Sequence, residues 1–389
     1  MNTTLDTPRI ARLLQEGVRA QVYPGAAWAV GDARGPLADG AVGVLSPAPT
    51  PRPDSGPRLT PRLTPGPTPA PDLALTPAPG PGPAPAPAPA PGGQPTRPDT
   101  LFDLASLTKI IAVWPVVGTL VEAGKLELDA PLGSFWPEVT GHPLGDVTPL
   151  QLLTHTAGLP LRANLRALYG TDPQDVRDGV LREPLRRRPG EAVEYTDRAA
   201  LILGYLAEHL TGLPLARLAA GRVWEPLGMT ETRFGPLPEP LAARCAPTEY
   251  DEETGTHLRG TVHDFSTRLL GGSCGIAGVF STTGDLGRFL RRVLDPVRPP
   301  FGPEWVAASL RARTGELAPV RGLFWHLAPG TALRDDIWVH YGFTGTGMWV
   351  SPSRGRWAVL LTNKLYLTRA TGPVTAVRDA FREAVFAPL

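Results

Sequence analysis

The chain has 389 residues, enough for one large domain with a substantial core. Its net charge is +1, with 38 Lys and Arg residues against 37 Asp and Glu residues, which gives no reason to expect a nucleic acid or a membrane as a partner. The seven histidines and two cysteines are scattered without metal-ligand spacing, so we expect neither a metal nor another cofactor.

The N-terminal part of the chain predicts a helix followed by a β-hairpin. MNTTLDTPRIARLLQEGVRAQ has the apolar spacing of a short amphipathic helix. It has no apolar core of the kind a signal peptide carries, and no stretch approaches 18 consecutive apolar residues, so we expect a cytoplasmic protein. PGAAWAVGDARGPLADGAVGVLS alternates short apolar runs with Gly and Asp turns and predicts the two strands of a hairpin.

Residues 47–98 stand apart because they hold 20 of the 47 prolines. Proline has no N–H for a strand ladder, and the segment offers little apolar surface to bury. We therefore predict a disordered insertion with polyproline II character. Its TPAP and PGPAP runs are compatible with SH3-like or WW-like grooves. An inert insertion is the simpler interpretation, because closing such a loop costs only roughly a few kcal/mol.

Helical patterns follow the insertion, and strand patterns return near the C-terminus. Helices are predicted from Ser106 to Ala123 with a kink or break at Pro115, over TDPQDVRDGVLREPL and over DRAALILGYLAEHLTG. GMWVSPSRGRWAVLLTN predicts two strands, and GPVTAVRDAFREAVF predicts a closing helix.

This order of elements predicts an α/β (α+β) fold class. Strand pairs near both chain ends favour one antiparallel sheet built by residues 1–46 and 300–389. Residues 99–299 would form a mainly helical subdomain of the same domain.

The segment DTLFDLASLTKIIAVW places Lys109 three residues after Ser106, and lysine occurs only three times among the 38 basic residues. Residues three apart share one face of a helix, and a serine hydroxyl needs a base to become a nucleophile. Arginine stays protonated, whereas a partly buried lysine can lose its charge near neutral pH. The pair therefore indicates a serine nucleophile with a lysine base, although a capping serine beside a solvated lysine would leave the same pattern.

Two further segments narrow the interpretation. GEAVEYTDRAALILGYL places Tyr195 two residues before Asp197 at the start of a helix, and WVHYGFTGTGMWV places His340 at the edge of a strand. Together with the serine–lysine pair, and in this order, they resemble the active-site elements of the class C β-lactamase-like serine hydrolases. That family includes penicillin-binding D-alanyl-D-alanine peptidases and esterases with a β-lactamase fold. VTPLQLLTHTAGLP, VWEPLGMTETRF and GGSCGIAGVFSTTGDLGRFL also resemble family segments.

The resemblance implies a β-lactamase/transpeptidase-like fold, with an antiparallel sheet flanked by helices, an all-helical subdomain and the site at their junction. It implies that Ser106 is the acylated nucleophile, that Lys109 and Tyr195 transfer its proton, and that His340 helps to hold the substrate. The positions it implies for the substrate or the oxyanion are Asp197, Tyr341, Gly342 and Phe343, with the N–H groups of Ser106 and Phe343 as the oxyanion hole. His263 and Asp264 are expected near the cleft.

We therefore expect a cofactor-free serine hydrolase that forms an acyl-enzyme from a small ester or amide, in the first place a carboxylesterase. β-Lactamase or D-alanyl-D-alanine peptidase activity is the alternative, and a fold-mate that binds acyl ligands without turnover is a third interpretation. Asp197 stands where the family usually has asparagine, and an ionised aspartate cannot donate to a substrate amide. If it lies close to Lys109, its charge would also raise the pKa of that lysine and make it a poorer base, unless burial offsets the effect. Both effects favour esters.

A rival nucleophile lies in GGSCG, which matches the Gly-x-Ser-x-Gly elbow of α/β-hydrolases around Ser273. Asp335 or Asp336 and His340 would then be its partners. The elbow needs a buried strand before the serine and a long helix after it, and neither pattern is present.

Overall fold

The computed structural model describes residues 5–47, 93–161 and 164–387. Its α-helices are α1 (Thr7–Arg19), α2 (Trp114–Glu122), α3 (Pro149–Leu153), α4 (Leu165–Tyr169), α5 (Pro173–Leu181), α6 (Asp197–Thr211), α7 (Leu215–Ala219), α8 (Glu239–Ala242), α9 (Phe265–Leu269), α10 (Thr283–Leu294), α11 (Pro303–Ser309) and α12 (Gly372–Phe386). Its strands are β1 (Gly25–Asp32), β2 (Gly35–Gly43), β3 (Phe102–Asp103), β4 (Arg233–Phe234), β5 (Tyr250–Asp251), β6 (Thr256–His257), β7 (Val279–Ser281), β8 (His326–Leu327), β9 (Trp338–Tyr341), β10 (Gly347–Ser351) and β11 (Arg356–Thr362).

The main sheet joins the two ends of the chain. Its order is β2-β1-β11-β10-β9-β8, and every neighbouring pair is antiparallel. Ala26 of β1 pairs with Thr362 of β11, so the N-terminal hairpin lies beside the C-terminal strands. The predicted hairpin, the predicted C-terminal strand pair and an antiparallel sheet built from both chain ends are confirmed. Two smaller sheets, β3-β7-β4 and β5-β6, lie within residues 99–299, so that segment is not all-helical.

Side chains of β1 alternate between two cores, because successive residues of a strand point to opposite faces. Trp28 and Val30 pack into a smaller core with α1 and α12. Ala27 and Ala29 face the larger core, which contains α2 and α6. The helical region therefore covers one face of the sheet, and the two terminal helices cover the other.

Helix α10 does not follow the predicted boundary at residue 299 between the helical subdomain and the sheet-forming part of the chain. It packs against β1 and β11 of the main sheet. Gly287 makes this approach possible, since a Cβ at this position would come within 2.8 Å of the Trp357 ring. α10 therefore belongs with the sheet, although it lies inside the segment predicted as the helical subdomain.

The insertion predicted for residues 47–98 lies outside the described residues except at its two ends. Val44 pairs with Pro95, and the N–H of Leu45 donates to the carbonyl of Gln94 at 2.8 Å. Residues 93–98 therefore belong to the fold, and the predicted C-terminal boundary of the insertion is wrong. The high proline content of the segment argued against such pairing. Proline lacks an N–H but keeps its carbonyl group, and neighbouring residues keep both groups, so pairing is still possible.

The helix that begins beside Ser106 continues past Pro115 in a changed register. It has a 3-10 turn at Ala105–Leu107, a π turn at Lys109–Val113 and then α2. Pro115 has no N–H for the carbonyl of Ile111 four residues earlier, and Trp224 Nε1 donates to that carbonyl at 2.8 Å instead. By length and composition the stretch could cross a membrane, but 78% of it is buried inside the protein, as in a core helix.

Candidate active site

Ser106 follows a residue in an unusual backbone conformation. Ala105 has a φ of +50°, in the left-handed region that residues with a side chain rarely adopt. Its N–H donates to Asp103 Oδ1 at 2.9 Å, and Asp103 Oδ2 accepts from the backbone N–H and from Nδ1 of His263, each at 2.9 Å. The buried Asp103–His263 pair therefore holds the turn that presents Ser106.

Two side chains reach the Ser106 hydroxyl. Lys109 Nζ lies 3.1 Å from Ser106 Oγ, and the Tyr195 hydroxyl lies 2.9 Å from the same oxygen. The Lys109 ammonium also donates to the carbonyl of Ile276 at 2.8 Å and lies 2.8 Å from Asp197 Oδ1. The three acceptors surround one nitrogen in a site where the lysine side chain has no exposed surface.

Burial and the Asp197 carboxylate act on the charge of Lys109 in opposite directions. Burial alone would lower the pKa of this lysine, but the Asp197 carboxylate and the Tyr195 oxygen outweigh burial and raise the pKa of Lys109 above its usual value. Lys109 is therefore a cation at neutral pH in the free protein. Lys109 is thus a poorer base than the Ser-x-x-Lys spacing alone indicates, which is the effect expected of a carboxylate at position 197 that lies close to the lysine.

Helix α6 and a glycine-containing loop bring the partners of Lys109 together. Asp197 is the first residue of α6, which Thr196 caps by accepting the N–H of Arg198. Gly275 lies so close to α6 that a Cβ there would come within 2.0 Å of the Ala200 carbonyl. This close approach carries the Ile276 carbonyl to Lys109.

His340 lies on β9 close to the Tyr195 ring, with a centroid distance of 6.3 Å. Its Nδ1 donates to the carbonyl of Phe324 at 2.9 Å, and burial lowers the pKa of His340 well below its usual value. The ring is therefore neutral and adds no positive charge to the site. The next side chain, Tyr341, packs its ring against Arg378 and Trp349 and also lines the cleft of Ser106.

The segment after β9 touches the nucleophile turn. A Cβ at Gly342 would come within 2.3 Å of the Leu104 carbonyl, so only glycine allows this contact. The Phe343 ring lies between His263, at a centroid distance of 6.2 Å, and Lys364, whose Nζ is 4.5 Å from the ring centroid. Gly342 therefore contacts the turn before Ser106, and Phe343 lies in the same cleft as Ser106.

Ser106 opens into a cleft of about 1060 Å³, which is also lined by the predicted residues Tyr195, Asp197, His263, Asp264, His340, Tyr341, Gly342 and Phe343. Sequence reasoning missed the apolar wall of this cleft, formed by Leu161, Leu165, Leu201, Phe265, Leu269, Ile276 and Ala277. It also missed Asp103 and Arg321. An acidic residue three positions before the serine, in an otherwise apolar run, was the available signal for Asp103.

Ser273 lies outside this cleft. It follows the short helix α9 and lines a separate pocket of about 220 Å³. Asp336 accepts a hydrogen bond from Trp338 Nε1, and His340 belongs to the cleft of Ser106. A helix before the serine and a loop after it do not form a nucleophile elbow, so the rival assignment to Ser273 is wrong.

The beta-lactamase family profile matches residues 10–381, and the chain belongs to this family. It is 32% identical over 344 residues to "Esterase EstB" of Burkholderia gladioli, covering 76% of this chain and 84% of the relative. It is 29% identical over 305 residues to a "Putative D-alanyl-D-alanine carboxypeptidase" of Escherichia coli K12, and the match covers 68% of this chain and 69% of the relative. The class C beta lactamase of Rhodobacter sphaeroides superposes with a TM-score of 0.69 at 19% identity, covering 98% and 100% of the two chains. The protein is a serine hydrolase with the β-lactamase fold.

Proposed function

We propose that the protein is a carboxylesterase that forms an acyl-enzyme on Ser106 and has little activity on penicillins and cephalosporins. The observation that carries the proposal is the 2.8 Å contact between Asp197 Oδ1 and Lys109 Nζ. The identity of 32% to the Burkholderia gladioli esterase supports it.

The first step is attack of Ser106 Oγ on the ester carbonyl. Lys109 and Tyr195 both reach this oxygen, so their hydrogen bonds stabilise the negative charge that develops when the proton leaves. The backbone N–H groups of Ser106 and Phe343 are the donors we assign to the carbonyl oxygen as it becomes an oxyanion.

The proton of Ser106 needs an acceptor. Lys109 is already a cation, and burial of the Tyr195 hydroxyl raises its pKa although Lys109 opposes this, so Tyr195 is a neutral phenol. Of the three side chains Lys109, Tyr195 and Asp197, only the carboxylate accepts a proton without first losing one. The Tyr195 hydroxyl is 3.5 Å from Asp197 Oδ1. In our proposal Tyr195 takes the serine proton as it passes its own to Asp197, and the alcohol leaving group receives that proton by the reverse route.

The same arrangement favours esters over amides. An ionised carboxylate has no N–H to offer to the side-chain amide of a β-lactam or a peptide. A lysine held as a cation by Asp197 is also a poorer base, and an amide depends more than an activated ester on protonation of its leaving group. We therefore propose that Asp197 selects esters.

Replacement of Asp197 by asparagine tests this proposal. The variant and the native enzyme are compared with nitrocefin and p-nitrophenyl butyrate, and we expect the ratio of nitrocefin turnover to ester turnover to rise in Asp197→Asn. Asp264→Asn is the matched control, because Asp264 lines the same cleft but caps α9, a role that asparagine also fills. Rapid nitrocefin hydrolysis by the native protein, or an unchanged ratio in Asp197→Asn, would contradict the proposal and favour β-lactamase or peptidase activity.

A further inference from the structure

A buried cation of the cleft is left unused by the mechanism above. Arg321 lies between α11 and β8, and only 7% of its surface is exposed. It lines the cleft of Ser106, and its guanidinium carbon is 5.7 Å from the centroid of the Tyr195 ring. Burial lowers the pKa of Arg321 to about 10, so its side chain is still charged at neutral pH.

Within residues 5–47, 93–161 and 164–387, the Nε and Nη1 atoms of Arg321 are buried and have no hydrogen-bond partner. The other buried arginines of this part of the chain have partners. Arg198 pairs with Glu183, Arg378 donates to the carbonyls of Gly342 and Thr346, and Arg382 pairs with Asp379. Arg321 is therefore a charge that the described protein buries without neutralising it.

The neighbours of Arg321 do not compensate its charge. His155, His326 and His340 all have a lowered pKa, first because they are buried and also because Arg321 is close, so they are neutral. Lys109, the other cation near Tyr195, is paired with Asp197. An unpaired buried cation destabilises a folded protein, and an anion that enters the cleft removes this penalty.

We propose that Arg321 binds a carboxylate of the substrate, so that the enzyme prefers esters that carry a negative charge over neutral esters of the same size. Guanidinium groups match carboxylates in a two-pronged geometry, which gives selectivity as well as binding. Arg321 and Ser106 both contact Tyr195, so the carboxylate would lie a short distance from the ester bond. This inference rests on the esterase function proposed above and deepens it.

Binding without turnover tests the inference separately from the esterase function. The probes are two pairs of esters, each consisting of an anionic ester and its neutral methyl ester. In the first pair, 3-(butyryloxy)benzoate carries the negative charge on the alcohol part. In the second pair, mono-p-nitrophenyl adipate carries the negative charge on the acyl part. Calorimetric titration of the Ser106→Ala protein should show at least tenfold tighter binding of the anionic member of one pair. Added to Ser106→Ala, Arg321→Gln should abolish this preference, and Arg321→Lys should retain part of it.

Arg369→Gln is the matched control, since Arg369 lines the same cleft but is already paired with Glu249. Its preference between the anionic and the neutral ester should match that of the parent protein. Equal binding of both members of each pair, or an equal loss for both in Arg321→Gln, would overturn the inference. If the Ser106→Ala protein selects the anionic ester but the native protein hydrolyses neither, the esterase proposal fails and the Arg321 site stands.

Discussion

Replacement of Lys109 should remove most of the activity, and the structure sets the size of the loss. Lys109→Met deletes a charged donor 3.1 Å from Ser106 Oγ. A hydrogen bond to a charged group contributes about 1.5–3 kcal/mol, which corresponds to roughly a ten- to hundredfold loss of rate. The change also removes the ammonium that holds Asp197 and lies 5.5 Å from the centroid of the Tyr195 ring. We therefore expect a total loss of about a thousandfold or more, the size of loss seen when one member of a group of cooperating catalytic residues is removed.

Lys109→Arg separates the charge of the lysine from its shape. Arginine keeps the positive charge, but the side chain lies in a fully buried site where three acceptors surround a single nitrogen. A planar guanidinium is larger and cannot direct its donors in the same way, so we expect Lys109→Arg to be almost as damaging as Lys109→Met.

The assay for both variants is kcat/KM for p-nitrophenyl butyrate, with circular dichroism as the check on folding. A folded Lys109→Arg enzyme that keeps more than about a tenth of the native activity would refute the reasoning, because Lys109 would then act only as a charge.

Three further predictions concern the nucleophile, the insertion and the turn before Ser106. Ser106→Ala should abolish ester hydrolysis without loss of the folded state, whereas Ser273→Ala should retain ester hydrolysis. Loss of turnover in Ser273→Ala alone would contradict the assignment of Ser106 as the nucleophile. Deletion of residues 50–91 should leave the melting temperature and the turnover nearly unchanged, because Gly93 N already donates to the Ser46 carbonyl at 3.1 Å and the closure cost is small; aggregation of the variant would show that the segment packs on the fold. Burial alone would lower the pKa of His263, but the Asp103 carboxylate outweighs burial and raises this pKa. The Asp103–His263 pair therefore stabilises the fold fully below the usual histidine pKa of about 6.5, and this contribution is lost as the pH rises through the raised pKa. His263→Gln should therefore lower the melting temperature more at pH 6 than at pH 9, and a constant difference would contradict this charge state.

Local signals in the sequence were enough for most helices and strands. Thr171 and Asp172 are both possible caps from the sequence, and Asp172 caps α5 with Pro173 in its first turn. Gly212 ends α6 in a left-handed conformation, which is typical of a glycine after a helix. The hairpin and the C-terminal strands were equally readable, because alternation and turn residues lie within a few positions of each other.

Contacts between segments that are distant in sequence could not be predicted from such local patterns. The effect of Pro115 depends on Trp224, which supplies the donor for the carbonyl of Ile111. The end of the insertion depends on pairing of Pro95 with Val44. Both contacts join residues far apart in sequence, and neither leaves a local pattern.

For the site as well, the sequence indicated which residues belong together but not the surroundings of each side chain. The Ser-x-x-Lys spacing and the family resemblance indicated Ser106, Lys109, Tyr195 and Asp197 as one group, and the structure brings these side chains together. The charge of Lys109 could be predicted only conditionally, because it depends on complete burial and on a 2.8 Å contact with Asp197, and the sequence shows neither. The buried state of Arg321 was equally invisible in the sequence.

The central claim is that Ser106 is the acylated nucleophile, and covalent labelling tests it most directly. The native protein is treated with a fluorophosphonate and, in parallel, with a penicillin, and adducts are measured by intact mass and located by peptide mapping. We predict a fluorophosphonate adduct on the peptide that contains Ser106, no adduct in Ser106→Ala, and little or no labelling by the penicillin. A fluorophosphonate adduct on Ser273, or one that persists in Ser106→Ala, would contradict the account.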